Sequence, residues 1–132
     1  MARIVRVISY WLPPIVWMAL IFYFSSRFRV SATGKFLFDF IIFKTLHLVE
    51  YAILYFLLFR AFFSINNQQL TTNNKFIFPL LISILYAVSD EFHQTLVPTR
   101  EGKIRDVFID SLGILLMYIY IMKNIKQVKR FL

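Results

Sequence analysis

The sequence contains no cysteine, which excludes disulfide bonds, thiolate metal ligands and thiol nucleophiles. It contains no glycine-rich phosphate-binding loop, which argues against ATP-driven work. Acidic residues are scarce: 7 Asp and Glu stand against 15 Lys and Arg, and the formal charge is +8. No basic helix with an aromatic platform is present, so this charge does not indicate a nucleic-acid partner. The basic residues lie mostly at the ends of apolar runs, as membrane topology and anionic lipid favour.

Apolar residues make up 59% of the 132 residues, above the roughly 45–50% that is typical of soluble proteins. The chain shows neither an internal repeat nor a linker, so we expect a single domain over residues 1–132. Four segments are apolar and long enough to cross a membrane, at residues 7–26, 36–59, 76–94 and 106–122. The sequence therefore predicts an all-α fold, an integral membrane bundle of four transmembrane helices.

Prolines and polar segments set the expected helix boundaries. No small-residue cleavage site follows the first apolar segment, so we interpret it as a retained helix rather than a secretory signal. Pro13 and Pro14 predict a kink in this helix or a first turn at the interface. A loop is expected over residues 64–75, with Pro79 in the first turn of the third helix.

The second predicted helix carries charged residues within its apolar sequence. Lys44, His47 and Tyr51 follow the spacing i, i+3, i+7 and share one face, with Glu50 beside them. In lipid, a polar stripe of this kind indicates a helix that lines the interior of a bundle.

Further acidic residues flank the connection between the third and fourth helices. Asp90 and Glu91 end one apolar run, and Gln94 follows Asp90 at the i+4 position. Asp106 and Asp110 open the next run. A carboxylate at membrane depth costs on the order of 3 kcal/mol, and such groups usually mark a functional site. The alternative is that these acids form ion pairs that hold helices together.

A narrow excess of positive charge predicts that both termini lie on the cytoplasmic side of the membrane. With a helical rise of about 1.5 Å per residue, the estimated membrane depths of His47 and the acids converge. We therefore expect one charged pocket in the outer half of the bilayer. Not all of these acids can remain ionised and unpaired, so protonation, pairing with loop arginines or a bound cation is expected. We interpret the basic residues on the outer side of the membrane as retained to bind a ligand: Arg27, Arg29, Lys35, Arg100, Lys103 and Arg105.

These motifs resemble those of the VanZ-like family of small bacterial membrane proteins. The matching pieces are Lys44-x-x-His47-x-x-Glu50-Tyr51, Ser89-Asp90-Glu91-x-x-Gln94 with Pro98-x-Arg100, Asp106-Val107-x-x-Asp110-x-x-Gly113, and Phe24-Ser25-Ser26. Gly113 would let another helix approach closely. Asp110 departs from the family, where asparagine is often found. The family is named for an accessory protein of teicoplanin (glycopeptide) resistance, so the resemblance implies a cell-envelope role and a shared polar pocket.

We predict that the pocket binds an anionic envelope lipid, either a phospholipid or a lipid-linked cell-wall precursor. Arg100, Lys103 and Arg105 would hold its phosphate, and Lys44, Tyr51 and Gln94 are further candidate ligand-binding residues. The residues leave open whether the lipid is also processed by an enzyme. The candidate catalytic residues are His47 oriented by Glu50 as a base, Asp90 or Glu91 as a second acid or base, and Asp106 and Asp110.

Three alternatives remain open. His47, Glu50, Asp90, Glu91, Asp106 and Asp110 are suitable ligands for a divalent metal, although the H-E-x-x-H motif is absent; His93 is expected at the interface. A proton-linked lipid or drug transporter would use the acids and His47 as a relay, and would require a homodimer because four helices are few for transport. A non-enzymatic scaffold would use the charges only to pair helices.

Overall fold

The computed structural model describes residues 2–27, 33–64, 71–98, 100 and 102–131. Its long helices are α1 (Ala2–Ser25), α2 (Phe36–Ser64), α3 (Thr72–Thr95) and α4 (Ile104–Lys123). A short helix α5 (Ile125–Val128) and a 3-10 turn (Lys129–Phe131) follow. No strand occurs in these ranges, so the all-α prediction is confirmed for them. Arg29, one of the cations that we interpret as retained for a ligand, lies outside the described residues.

Among the described residues, three helices are long and apolar enough to cross a membrane, over Val7–Ser25, Phe36–Ser64 and Thr72–Leu96. Large apolar side chains cover their outward faces, including Leu12, Phe22, Leu85 and Phe92. Lipid solvates such a surface, whereas in water it would promote aggregation. These helices therefore suit a multi-pass membrane protein. α4 is shorter, and Arg105, Asp106 and Asp110 all lie in its first two turns.

Helix α2 is central, because it contacts α1, α3 and α4 and packs most extensively against α4. Its buried residues Leu54, Tyr55 and Phe59 form the core with Ile114 of α4. A Cβ atom at Gly113 would collide with the backbone carbonyl of Leu48, so this glycine permits the close approach of α2 and α4, as the sequence predicts.

Three predicted boundaries are wrong. Helix α3 begins at Thr72 because the Thr71 side chain accepts a hydrogen bond from the backbone N–H of Asn74, and α2 extends to Ser64. The polar residues 72–75 are therefore helical rather than a loop, and Pro79 lies about two turns into α3 instead of in its first turn. Pro13 and Pro14 likewise lie within α1, because that helix begins at Ala2.

The antiparallel arrangement gives the molecule two distinct ends. The polar end contains the last turns of α1 and α3, the first turns of α2 and α4, and the connection between α3 and α4. The basic end contains the first turns of α1 and α3, the last turns of α2 and α4, and α5. Most of the predicted site residues lie toward the polar end.

Candidate functional site

An ion pair joins α2 to the first turn of α4 at the polar end. Lys44 Nζ lies 2.6 Å from one oxygen of the buried Asp106. Arg105 Nε lies 3.3 Å from the other oxygen, and its guanidinium stacks over the Phe40 ring at 4.9 Å. Both oxygens of Asp106 are thus neutralised by side chains of the protein, and Arg105 is held at the surface in a defined position.

Asp90 is held by α1 and by its own helix. One of its oxygens accepts hydrogen bonds from Ser25 Oγ at 2.9 Å and from Gln94 Nε2 at 3.0 Å. The Asp90–Gln94 bond confirms that these two residues face the same interior. The other Asp90 oxygen is buried and has no hydrogen-bond partner within the described part of the chain. Ser25 was not predicted as a site residue, although it belongs to the Phe24-Ser25-Ser26 motif.

Arg100 fastens the α3–α4 connection to the end of α1. Its guanidinium donates hydrogen bonds to the carbonyl of Phe24 at 3.2 Å, to the carbonyl of Arg27 at 2.9 Å and to Gln94 Oε1 at 3.2 Å. The last carbonyls of a helix lack partners within it, so Arg100 caps α1. This structural role adds to the phosphate contact that the sequence predicts for Arg100.

Glu91 is bound by the backbone immediately before the start of α4. The backbone N–H of Lys103 donates to one carboxylate oxygen at 3.1 Å, and the other oxygen is buried without a partner among the described residues. Gly102 lies against the backbone carbonyl of Glu91 and the side chain of Thr95, where a Cβ atom would collide with both. The connection therefore lies tightly against the last turns of α3.

His47 lies between two carboxylates without bonding either. Its Nδ1 is 3.8 Å from an oxygen of Glu50 and 3.8 Å from an oxygen of Asp110, and both distances are too long for a hydrogen bond. Asp110 is fully buried, and neither of its oxygens has a hydrogen-bond partner in the described ranges. Tyr51 directs its buried hydroxyl toward Asp90 without forming a hydrogen bond of good geometry.

The predicted acids converge on one region. Asp110 interacts electrostatically with Glu91, Asp90, Asp106 and Lys44. We call the following atoms the unpaired cluster: His47 Nδ1, Tyr51 OH, Asp90 Oδ1, Glu91 Oε1 and both carboxylate oxygens of Asp110. Most buried polar atoms in proteins have a partner, and each unsatisfied one costs about 1–3 kcal/mol. The groups of α2, α3 and α4 therefore do not satisfy this region by themselves.

A protein-family model described as VanZ/LLP1 matches residues 10–126. The chain belongs to the VanZ/LLP1 family. The match includes every residue that the sequence singles out for the site, and it confirms the resemblance found in the motifs. No curated protein and no solved structure matches the chain.

The hypothesis of a metal site has no three-ligand group to support it in the described part of this VanZ/LLP1 chain. Within residues 2–27, 33–64, 71–98, 100 and 102–131, no three His, Asp or Glu side chains are grouped to hold a metal ion. His93 is half-buried, stacks on Phe22 with ring centroids 4.4 Å apart, and lies 3.0 Å from Ser26 Oγ. It thus packs between α3 and α1.

Proposed function

We propose that this chain is a four-span plasma-membrane protein of the bacterial cell envelope that binds an anionic lipid headgroup at its polar end. The observation that carries the proposal is the unpaired cluster lying near exposed cations. The fourth span would be α4, whose 20 residues reach about 30 Å. Its Asp106 and Asp110 are buried, whereas Phe108 and Leu112 are exposed for contact with lipid.

The phosphate of the headgroup would bind to the exposed cations. Lys103 and Arg105 are exposed at the start of α4, and the Arg105 side chain is 59% exposed. Arginine suits bidentate contact with phosphate, and Phe40 and Asp106 already hold this guanidinium in place. Lys44 is mainly committed to Asp106, so we assign it to positioning rather than to direct phosphate contact.

The unpaired cluster would recognise hydrogen-bond donors on the same headgroup. Glu91 and Asp110 contribute carboxylate oxygens, which accept hydrogen bonds when they are ionised. A headgroup that joins a phosphate to amine or hydroxyl groups complements both parts of the site. Phospholipids and lipid-linked cell-wall precursors of this chemistry are therefore the proposed ligands.

Native mass spectrometry of the detergent-purified chain tests the proposal with two anionic probes. Phosphatidylglycerol carries a phosphate and hydroxyl donors, whereas phosphatidic acid carries the phosphate alone. We expect the wild type to retain phosphatidylglycerol preferentially. Asp110→Asn should remove the preference, and Arg105→Gln should weaken retention of both lipids. Lys126→Gln, which removes an exposed cation at the basic end, is the matched control. Equal retention of both lipids by wild type, Asp110→Asn and Arg105→Gln would refute the proposal.

A second candidate function is proton-linked transport of a lipid or drug. It is favoured by the position of His47, whose Nδ1 lies at equal distances from Glu50 and Asp110. Histidine between two acids is suited to a proton relay in a membrane. Proteoliposomes with an internal pH dye should show proton uptake under an imposed potential, and His47→Asn should abolish it. Identical dye traces for wild type and His47→Asn would exclude this candidate.

The family resemblance also motivates a proposed role in glycopeptide resistance. Expression in a susceptible bacterium should raise the inhibitory concentration of teicoplanin, and Glu91→Gln at equal expression should lose the increase. The lipid extract of the same cells tests for processing, since a lipid product that depends on Glu91 and His47 would make the chain an enzyme. An unchanged inhibitory concentration with wild-type chain would count against the resistance role.

A further inference from the structure

The formal charge of the chain is concentrated at its basic end. Every Asp and Glu lies between residues 39 and 110, and none occurs in residues 52–89. The acids and the remaining cations toward the polar end cancel, so the net charge of +8 comes from the other end. The residues that supply it are Arg3, Arg6, Arg60, Lys75, Lys123, Lys126, Lys129 and Arg130.

Two of these cations lie against the same aromatic ring. Lys75 Nζ lies 5.2 Å and Lys129 Nζ lies 5.6 Å from the centroid of the Phe63 ring. The burial of Val128 against the core holds the terminal segment there, so Lys129 is placed by packing rather than on a loose tail. We call Phe63, Lys75 and Lys129 the lysine clamp. Both positive charges lie near one ring, so an anionic group bound beside this ring would be attracted by both.

Arg60 provides an independent sign of a missing anion near the same end. Its guanidinium lies over the Tyr10 ring at 4.7 Å, and its Nε is buried with no hydrogen-bond partner among the described residues. Arg60 precedes Phe63 by one turn of α2. A buried donor without an acceptor among the described residues, at the end of the bundle where the basic residues lie, is consistent with an anionic group binding at this end.

We propose that the lysine clamp binds the phosphate of an anionic membrane lipid in the leaflet at the basic end. The clamp lies where α2 ends and α3 begins, and both helices are long enough to span a membrane. Its cations therefore lie at the depth of lipid headgroups rather than in bulk water. Ile77 and Phe78 are exposed on the adjoining turn of α3 and offer an apolar surface for an acyl chain. This site is separate from the headgroup site at the polar end.

Titration with phosphatidic acid and phosphatidylcholine, followed by native mass spectrometry of the full chain, tests the clamp. The phosphate alone should suffice there, so phosphatidic acid is the probe and zwitterionic phosphatidylcholine is the reference. Lys75→Gln/Lys129→Gln should lose roughly fivefold in affinity for phosphatidic acid for each cation removed. Lys123→Gln/Lys126→Gln removes the same charge from exposed positions outside the clamp and should retain most of the affinity. Phosphatidylcholine retention should not change in either variant.

Unchanged affinity in the clamp variant would overturn the proposal, and so would an equal loss in both double variants, because that loss would reflect only diffuse charge. Lys129→Gln alone, at an exposed position, provides a second variant if the double variant unfolds. Lys129→Arg should recover binding. These readings are independent of the preference for phosphatidylglycerol over phosphatidic acid, which reports on the polar end.

Discussion

Lys44 on α2 and Asp106 at the start of α4 form an ion pair with 2.6 Å between the charged atoms. Their side chains are only 19% and 8% exposed, so the pair is largely withdrawn from water. Removing one member of such a pair costs more than replacing both, because a charge is left buried. The pair therefore links the geometry of the site to the stability of the fold.

Lys44→Met should destabilise the chain by about 2–4 kcal/mol, since Arg105 can only partly compensate Asp106 from its exposed position. Thermal unfolding in detergent measures the effect, and Lys35→Met is the matched control at an exposed lysine. The reversed pair Lys44→Asp/Asp106→Lys should regain stability but not lipid retention. Recovery of both would instead identify the charges as a scaffold.

Gly113→Ala should separate α2 from α4. The added Cβ would collide with the main-chain carbonyl of Leu48, which cannot rotate away as a side chain would. We expect a loss of roughly 1–3 kcal/mol or more and a lower unfolding temperature. Leu112→Ala, one residue earlier on the exposed face, should have a much smaller effect. Equal unfolding temperatures for Gly113→Ala and wild type would show that the two helices are less closely packed.

Asp110→Asn should make the chain more stable while impairing its lipid preference. The substitution keeps the shape of a fully buried side chain and removes a carboxylate whose oxygens lack hydrogen-bond partners in the described residues. We therefore expect the free energy of unfolding to increase by about 1–2 kcal/mol. Thermal unfolding and lipid retention should be measured on the same preparation. A lower unfolding temperature would indicate that Asp110 is paired in the folded protein.

Arg100→Lys should loosen the polar end although it preserves the charge. One ammonium cannot reproduce the three contacts that the guanidinium makes with Phe24, Arg27 and Gln94. Amide hydrogen exchange should rise in the last turn of α1 and in the α3–α4 connection, and remain low in the α2–α4 core. If exchange is unchanged but lipid retention falls, Arg100 acts mainly as a ligand.

The orientation of the chain can be read directly, because it has no native cysteine to give background labelling. Lys35→Cys at the polar end should react with a membrane-impermeant maleimide in intact cells. Lys126→Cys at the basic end should react only after permeabilisation, because segments rich in Lys and Arg remain in the cytoplasm. The opposite labelling pattern would place the polar end inside the cell.

Periodicity predicts those parts of the site that lie on one helix. Asp90 and Gln94 meet because residues i and i+4 always share a face. The partner of Asp90 across the bundle is Ser25, 65 residues away, and no local pattern encodes that contact. Arg100 binds main-chain carbonyls, which carry no signature in the sequence. Sequence patterns do not predict the start of α3, because its threonine and asparagine residues suit a loop equally well. The Thr71 cap fixes the helix start in the structure.

The C-terminal segment is another part of the fold that sequence patterns do not predict. Helix α5 is too short and too basic to be predicted from periodicity, and only the burial of Val128 fixes it against the bundle. The segment is thus packed against the fold over Ile125–Val128.

Three contacts fix the connection between α3 and α4 against the neighbouring helices. Arg100 is fastened to α1, Gly102 fits against α3 without room for a side chain, and the Lys103 N–H is bound to Glu91. A lipid that reaches the unpaired cluster from above would have to break these contacts and draw its acyl chains through water. Sideways passage between helices, with the tails still immersed in the bilayer, requires neither. If the proposed lipid binds there, the backbone of this short connection, rather than any charge, would direct it to the site from the side of the bundle.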